Sequence, residues 1–238
     1  DAQMKIPFYG LKLPDSDQII LSEMESRHCV KVLRYKRGDE VQVLDGRGNL
    51  YDCTIFDDSI QQCTLEIKGT DFKDLADSKL HIVIAPPKNP DRIDWLIEKS
   101  VEMGASRVSF ALSERSIRNK VKLERLERIS IAAMKQSCSR YKLIIDDIAP
   151  LDDVLEKVGA GQRLIPHLEE GERILIHDAL KPKKDTCILI GPEGDFTPKE
   201  IKSAIDNNFK PVSLGDRRLR TETVAIMVIG AFNYVNRY

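Results

Sequence analysis

Leu80–Ala85 is an apolar run interrupted only by His81, and together with the segments after it this run narrows the architectures open to the chain. A half-exposed strand alternates apolar and polar residues; a run apolar at nearly every position suits a strand buried on both faces, as in a parallel sheet. Pro86-Pro-Lys-Asn-Pro90 then breaks the chain. Ile93, Leu96, Ile97 and Val101 recur at helical spacing, and Gly104 closes that helix. The alternation continues. Arg107–Leu112 reads as a strand, and Leu123, Leu126, Ile129 and Ala133 mark a helix ending near Cys138. Further strands are expected at Leu143–Ile148, Arg163–Leu168, Arg173–His177, Thr186–Ile190 and Pro211–Leu214, with a helix over Leu151–Val158. Such a succession predicts an α/β domain: a mostly parallel sheet covered by helices on both faces.

The residues before Leu80 obey a different rule. Val41 and Val43, then Tyr51, Cys53 and Ile55, then Cys63, Leu65 and Ile67 alternate with polar neighbours. Asp45-Gly-Arg-Gly-Asn49 supplies a hairpin connection. Short, closely spaced strands suggest a small barrel or sandwich. One helix is expected over Glu25–Leu33, ending near Gly38, and the polar stretch Gly69–Lys79 reads as the linker. Two domains are expected, 1–72 and 73–238.

Composition removes several function classes. Charged residues make up 32% of the 238, and the formal net charge is −1, so the whole chain is not a basic nucleic-acid glue. The charge is nevertheless uneven. Residues 27–37 hold Arg27, Lys31, Arg34, Lys36 and Arg37 with no acid, and residues 88–142 hold thirteen Lys/Arg against seven Asp/Glu. Such patches can track a phosphate backbone, although mixed-charge helices are also ordinary solvated faces. No apolar run approaches the roughly 20 residues of a membrane span, and no secretory leader is seen, so no membrane association is expected. Five dispersed cysteines without a CxxC pair read as reduced core thiols of a cytoplasmic protein, with no metal site.

The chemistry is expected in two glycine-bearing loops. Thr186–Ile190 runs into Gly191-Pro-Glu-Gly194, and a strand at Pro211–Leu214 runs into Gly215 and a basic loop. Glycines let the backbone bend sharply and approach a ligand with no Cβ in the way, and open α/β sheets bind ligands at the carboxyl ends of their strands. Between the loops Thr197 is the expected N-cap, Pro198 the first helical residue and Glu200 the partner in a capping box. Ile201, Ala204 and Ile205 are expected to face the core. The last helix starts near Thr221 and is apolar nearly all round, so it is buried against the sheet or a second subunit. No GxGxxG, GxxxxGK[ST] or GxSxG motif is present, which argues against a standard dinucleotide site, a P-loop and an α/β-hydrolase nucleophile elbow.

An ordered set of motifs carries a closer resemblance. It comprises Arg27-His28 with Val32-Leu-Arg34 and Gly38-Asp39; Lys88 through Arg92, Asp94-Trp95, Glu98-Lys99, Glu102 and Gly104; Ser113-Glu-Arg-Ser116; Gln136-Ser137 and Arg140; Ile190 to Gly194 with Phe196; and Ser213-Leu-Gly215 with Leu219-Arg-Thr-Glu-Thr223. By these residues nearly the whole chain resembles the ribosomal small-subunit methyltransferase E family of the SPOUT class. The resemblance implies an S-adenosylmethionine-dependent enzyme that methylates N3 of one uridine in the 16S rRNA of the small ribosomal subunit. It implies a PUA-like RNA-binding β-barrel domain over 1–72, a SPOUT domain with a trefoil knot over 73–238, and a homodimer. Two departures stand out: Asp195, where the family commonly has glycine, and Arg218, where it has an apolar residue. The proline-rich entry at residues 86–90 also differs from the family's usual loop.

Site roles come from that resemblance. The cofactor is expected on Pro166, His167 and Leu168; on Ile190, Gly191, Pro192, Glu193 and Gly194; on Ser213, Leu214 and Gly215; and on Leu219, Arg220, Thr221 and Thr223. Removing the N3 proton leaves charge on the uracil carbonyl oxygens, which an arginine fork suits. Arg220 is the first candidate and Arg115 the second. Glu222 or Glu193 is a candidate proton acceptor, though either can equally orient an arginine or cap a helix, and a first-turn position favours that structural role for Glu222. His167 as a base is weighed against a structural role. Arg27, Lys31, Arg34, Lys88, Arg92 and Arg140 are candidate RNA contacts, joined by Gln136 and Ser137 at a helix end. Two other readings are carried: a SPOUT methyltransferase acting on another RNA, and a non-catalytic RNA-binding assembly factor.

Overall fold

A computed structural model describes residues 6–159, 161–167 and 174–237. The chain divides into two compact units, one of residues 1–75 with 131–142, the other of 76–130 with 143–238.

The first unit is built on a five-stranded sheet. Its strands are β1 (Phe8–Tyr9), β2 (Gln18–Ile20), β3 (Glu40–Leu44), β4 (Asn49–Asp57) and β5 (Thr64–Phe72), in the order β1-β3-β4-β5-β2. The alternating residues Val41, Val43, Tyr51, Cys53, Ile55, Cys63 and Leu65 point together into one core with Phe8, Ile19, Leu21 and Cys29. Asp45 organises the β3–β4 connection: its carboxylate accepts from the backbone N–H of Arg47 (2.7 Å) and Asn49 (3.1 Å) and from Asn49 Nδ2 (2.6 Å). Two expectations are corrected here. The segment from Gly69 is not all linker, because β5 runs to Phe72 and pairs along β4 with Gly69 opposite Asp52 and Phe72 opposite Asn49. The helix expected at Glu25–Leu33 is two pieces, α1 (Glu23–Arg27) capped by Ser22 and a π-helical turn over His28–Val32. The wider turn leaves Lys31, Val32 and Leu33 exposed and Cys29 buried.

Buried charge also ties this unit together. Glu25 is 4% exposed. One carboxylate oxygen accepts from Lys135 Nζ at 2.6 Å and the other from the Tyr9 backbone N–H at 3.1 Å. Lys135 lies on α3 (Leu123–Ser137), whose residues from Ile131 onward belong to this unit.

The second unit carries a seven-stranded, wholly parallel sheet: β6 (Leu80–Ile84), β7 (Arg107–Leu112), β8 (Ile144–Pro150), β9 (Gln162–Pro166), β10 (Ile174–Leu175), β11 (Thr186–Ile190) and β12 (Lys210–Ser213). Their order is β10-β12-β9-β11-β6-β7-β8. The chain builds outward from β6 to β8 and returns to lay β9 on the far side; β11 then enters between β6 and β9. All five residues of β11 are buried, in register with β6 from Thr186↔Leu80 to Ile190↔Ile84. On one face Val83, Ala111, Ile165, Cys187 and Leu189 pack with α4 (Leu151–Lys157) and α6 (Pro198–Asp206). On the other, α7 (Thr221–Arg237) packs on β6, β11 and α2 (Pro90–Glu102), burying Ala225, Val228, Ile229 and Phe232. Met227 and Tyr234 of α7 and Trp95 of α2 stay exposed.

The expected elements recur within a residue or two, with three corrections. The strand at Arg173–His177 is the two-residue β10 followed by a helical turn, α5 (Ile176–Ala179); Arg173 lies outside the described residues. The strand at Arg163–Leu168 ends at Pro166, whose ring nitrogen has no proton to donate to a ladder, and Leu168 lies outside the described residues. Ile201 and Ala204 are buried, but Ile205 turns outward and is 47% exposed. The capping box forms as expected: Glu200 N–H donates to Thr197 Oγ1 at 3.3 Å, and Thr197 N–H to Glu200 Oε2 at 2.9 Å.

A polar chain crosses β6, β7 and β8 near their amino ends. Arg107 grips Asp146 with two bonds of 2.6 and 2.8 Å. Ser109 donates its hydroxyl proton to Asp146, and the same oxygen lies 2.7 Å from His81 Nε2. Burial, then the charge of Arg107, pushes His81 down to about 4 against the pull of Asp146. Burial by itself would raise Asp146, but the bonds from Arg107 and Ser109 outweigh it and hold the carboxyl below its ordinary range.

Candidate functional site

The site forms where the strand order reverses, at the carboxyl ends of β9, β11 and β12. Adjacent strands whose connections leave in opposite directions open a crevice there. The loops after these strands and the start of α7 line one open cleft of about 640 Å³, a volume that includes its solvent-filled mouth. Its wall takes Pro166 and His167 from the first loop; Ile190, Gly191, Pro192, Glu193 and Asp195 from the second; and Ser213, Leu214, Gly215, Arg217, Arg218 and Leu219 from the third. Thr221 and Val224 of α7 complete it.

Local chemistry explains why these residues turn there. The Gly191 backbone passes so close to Phe196 and Asp195 that a Cβ would sit 3.1 Å from the ring and 3.2 Å from the carboxylate. Gly215 has φ +99°, in the region that favours glycine, and its N–H donates to Ser213 Oγ at 3.1 Å. Asp195 also lies in the left-handed region, at φ +60°. Its N–H donates to Pro192 O at 2.9 Å, and its Oδ1 accepts from Phe196 N–H at 2.8 Å, so the side chain itself holds the turn. Thr221 Oγ1 donates to Gly191 O at 3.2 Å and fastens the third loop's exit onto the second loop.

A second set of bonds braces the loops from outside. Arg115 Nη1 donates to Gly194 O at 2.7 Å and lies 3.5 Å from Phe196 O. Glu114 N–H donates to Glu200 Oε1 at 2.7 Å, joining the residue 113–118 loop to the capping box of α6. Lys88 N–H donates to Glu193 Oε1 at 3.0 Å, while Arg118 grips Lys88 O with bonds of 3.1 and 2.8 Å. Glu222, in the first turn of α7, is 7% exposed and pairs with Arg92 Nε at 3.3 Å. Its other oxygen, Oε2, is buried and has no hydrogen-bond partner among the described residues.

Most of the residues expected at the cofactor line this cleft. Gly194, Arg220 and Thr223 do not; all three are exposed beside it. Leu168 lies outside the described residues. Asp195, Arg217, Arg218 and Val224 line the cleft although sequence reasoning leaves them out of it. Arg217 and Arg218 fall between Gly215 and Leu219, and Val224 falls one turn after Thr221, so contiguity and helical spacing carry the missing signal. The candidate RNA contacts divide. Arg27, Lys31 and Arg34 are exposed on the first unit, Arg34 at φ +61°. Lys88 has an exposed side chain and a backbone committed to Glu193 and Arg118. Arg140 is engaged with the Asp71 carboxylate and carbonyl, the latter at 2.7 Å, and Arg92 with Glu222. Gln136 is exposed, and Ser137 Oγ donates back to Ala133 O at 2.8 Å.

A loop-built cleft on the carboxyl edge of a parallel sheet, in a chain that also carries a small β unit, is the architecture of an α/β RNA methyltransferase. Residues 75–233 match the RNA methyltransferase domain, and residues 21–68 the RNA methyltransferase PUA domain. A solved structure described as a probable rRNA-methyltransferase from Porphyromonas gingivalis is 37% identical, with a TM-score of 0.89 over 97% of this chain and 98% of that one. Ribosomal RNA small subunit methyltransferase E from Neisseria gonorrhoeae, solved bound to S-adenosyl methionine, is 26% identical, with a TM-score of 0.85 over 97% and 98% of the two chains. The protein of that name from Rickettsia conorii is 28% identical over 228 residues, 93% of this chain and 92% of its own. The chain belongs to the RNA methyltransferase family, in the branch of the ribosomal RNA small subunit methyltransferase E proteins.

Proposed function

We propose that this protein methylates N3 of a uridine in 16S rRNA, with S-adenosylmethionine as donor. The observation that carries the reading is the cleft itself: three strand-end loops, the second turning on Gly191 and a left-handed Asp195 and the third on a left-handed Gly215, with Thr221 fastening the third loop to the second at Gly191. The residues fit that cofactor. Ile190, Pro192, Leu214, Leu219 and Val224 offer apolar cover, while Gly191 and Gly215 leave backbone edges open, which suits a ligand read largely by main-chain groups. When bound, the cofactor supplies an electrophilic methyl group. In this reading the trefoil knot is formed by the 190–195 and 213–221 segments, which meet where Thr221 Oγ1 donates to Gly191 O.

The remaining roles belong to side chains around the cleft. Arg115 holds the carbonyl of Gly194 and so fixes the second loop, and Glu193 and Arg118 hold the Lys88 loop beside it. Arg220, exposed at the entrance to α7, is available to a phosphate or to developing negative charge. Domain 1–72 takes the RNA-binding role and 73–238 the methyl transfer. Arg27, Lys31 and Arg34 are exposed cations able to position a phosphate backbone without specifying its sequence. The target base must leave its stack, which is least costly in loops or unpaired ends. We extend the reading to a cytoplasmic homodimer, for which exposed Trp95, Met227 and Tyr234 on adjoining helices are the support. Among the described residues no helix is long and apolar enough to cross a membrane.

Calorimetric titration of S-adenosylmethionine tests the cofactor, with Val224→Trp placing an indole in the cleft as control. Saturable binding lost in the control is expected. Small subunits from cells lacking the enzyme should then gain one N3-methyluridine, read by mass spectrometry of 16S rRNA digests. Failure to bind the cofactor, with or without subunits, leaves the non-catalytic RNA-binding factor. Methylation of a different RNA leaves the other member of the class.

A further inference from the structure

The methylation of uracil N3 sets a geometric problem that the Arg92–Glu222 pair can solve. The N3 lone pair lies in the ring plane, along the line by which the proton leaves. A carboxylate bonded to N3–H occupies the path by which any methyl donor must arrive. Donors on the flanking carbonyl oxygens do not compete for that path, and they stabilise the anion left when the proton goes to water. The site therefore needs a fixed N–H donor more than a fixed base.

Of the arginines around the cleft, Arg92 is the one placed for this. Arg115 and Arg118 hold loop carbonyls. Arg217, Arg218 and Arg220 are exposed on the third loop, where ordering a long side chain carries an entropic cost. Arg92 stands in the first turn of α2, which Asn89 caps through Asp91 N–H at 2.9 Å and Pro90 begins. Its Nε is held by Glu222 Oε1 at 3.3 Å, its side chain is 32% exposed, and among the described residues neither terminal NH₂ group has a partner. Neither residue lines the cofactor cleft itself; the pair stands at its edge, Glu222 directly after Thr221 of the cleft wall and Arg92 on the helix whose entry loop Lys88 N–H holds to Glu193 of that wall. An unsatisfied buried carboxylate oxygen is costly and calls for an explanation. Keeping Glu222 Oε2 unpaired leaves that carboxylate a strong, one-sided anchor for Arg92.

We infer that Arg92 is the catalytic donor to a uracil carbonyl oxygen and that Glu222 is its positioning residue; the inference rests on the proposed reaction. No proton passes to Glu222: the N3 proton leaves to solvent, and the N3 electron pair forms the new N–CH₃ bond.

Single-turnover methylation of small subunits at saturating cofactor, measured against pH, tests this. Arg92→Ala should lose about 100-fold near neutral pH, the size expected for one anion-stabilising donor. The loss should shrink as pH rises, because hydroxide supplies the anion the arginine no longer favours. Glu222→Ala should behave alike, Glu222→Gln should keep most activity through its amide oxygen, and the Arg92→Ala/Glu222→Ala double variant should be no slower than either single. Cofactor affinity by calorimetry should stay unchanged in all of them. A loss equal at every pH, or one that tracks weakened cofactor binding, overturns the inference in favour of a structural pair. Wild-type activity matched by Arg92→Ala removes this inference alone. A wild type that binds cofactor yet leaves N3 unmodified removes the proposed function as well.

Discussion

Arg115 Nη1 donates to the carbonyl oxygen of Gly194 at 2.7 Å, and this bond joins the loop after β7 to the loop after β11. A charge-assisted bond to a loop carbonyl restrains the loop more than a neutral one. The Gly194 backbone shows no conformational need for glycine: its φ is not positive, and an added Cβ would meet only the Arg115 side chain, its Cδ at an ordinary 3.5 Å. The arginine thus sits where a larger residue would otherwise pack, holding the edge of the cleft in place. Arg115→Ala should weaken S-adenosylmethionine about tenfold, in line with the loss of one hydrogen bond from a charged donor, with little change in thermal midpoint. Arg115→Lys should recover part of that affinity. Calorimetry decides it, and an unaltered dissociation constant in Arg115→Ala would show that the loop is fixed without this bond.

Asp195 offers a second test of the same loop. An L-residue at φ +60° is strained by about 1 kcal/mol or more, and aspartate offsets part of that through its bond to Phe196 N–H. Asp195→Ala should keep the strain and lose the bond, lowering stability by roughly 1–2 kcal/mol. Asp195→Gly should lose the bond and the strain together and come out near wild type. Urea melts of the two variants separate them; equal losses would mean the backbone conformation is not what makes this position sensitive.

These two residues also show what was legible in the chain. Leu80–Ile84, Arg107–Leu112 and Thr186–Ile190 could be read because buried parallel strands are apolar at nearly every position, and Thr197 to Glu200 because a capping box is a local code. Loop positions of the cleft were legible through their glycines and their order. What failed was non-local. Gly69 to Phe72 is a strand held by backbone pairing to β4, with side chains too polar to announce it. The π-helical turn at His28–Val32 widens a helix that periodicity alone would continue. Arg140 and Arg92 look like free cations in sequence, because their partners Asp71 and Glu222 are distant along the chain.

The buried pair of Glu25 and Lys135 should be far more sensitive to losing one partner than to losing both. Their side chains are 5% and 13% exposed at 2.6 Å, and Lys135 also stands 5.9 Å from the centre of the Phe8 ring. Lys135→Met leaves a carboxylate in the core and should cost about 3 kcal/mol. Adding Glu25→Gln, which can still accept from Tyr9 N–H, should return a substantial part of that loss. A double-mutant cycle by chemical denaturation reads the coupling; strict additivity would show the two side chains to be independent.

The His81–Ser109–Asp146 chain should make the protein less stable in mild acid. A histidine held at about 4 in the folded state, against an ordinary 6.5, binds a proton more readily when unfolded at every pH between the two. Stability therefore falls as pH drops through that window, by roughly 2–3 kcal/mol at pH 4.5 relative to pH 7. Asp146, whose folded carboxyl is held below its ordinary range, adds loss in the same direction only at still lower pH, as its partners Arg107 and Ser109 are deprived of the carboxylate. His81→Gln keeps a donor for Ser109 Oγ but cannot take up a proton. Its stability at pH 7 should be close to wild type, and its decline between pH 6.5 and 4.5 should be shallower by about that 2–3 kcal/mol. Urea denaturation of both proteins at the two pH values decides it. Parallel pH slopes would place the acid sensitivity in other groups and leave the half-buried histidine without the linkage its surroundings imply.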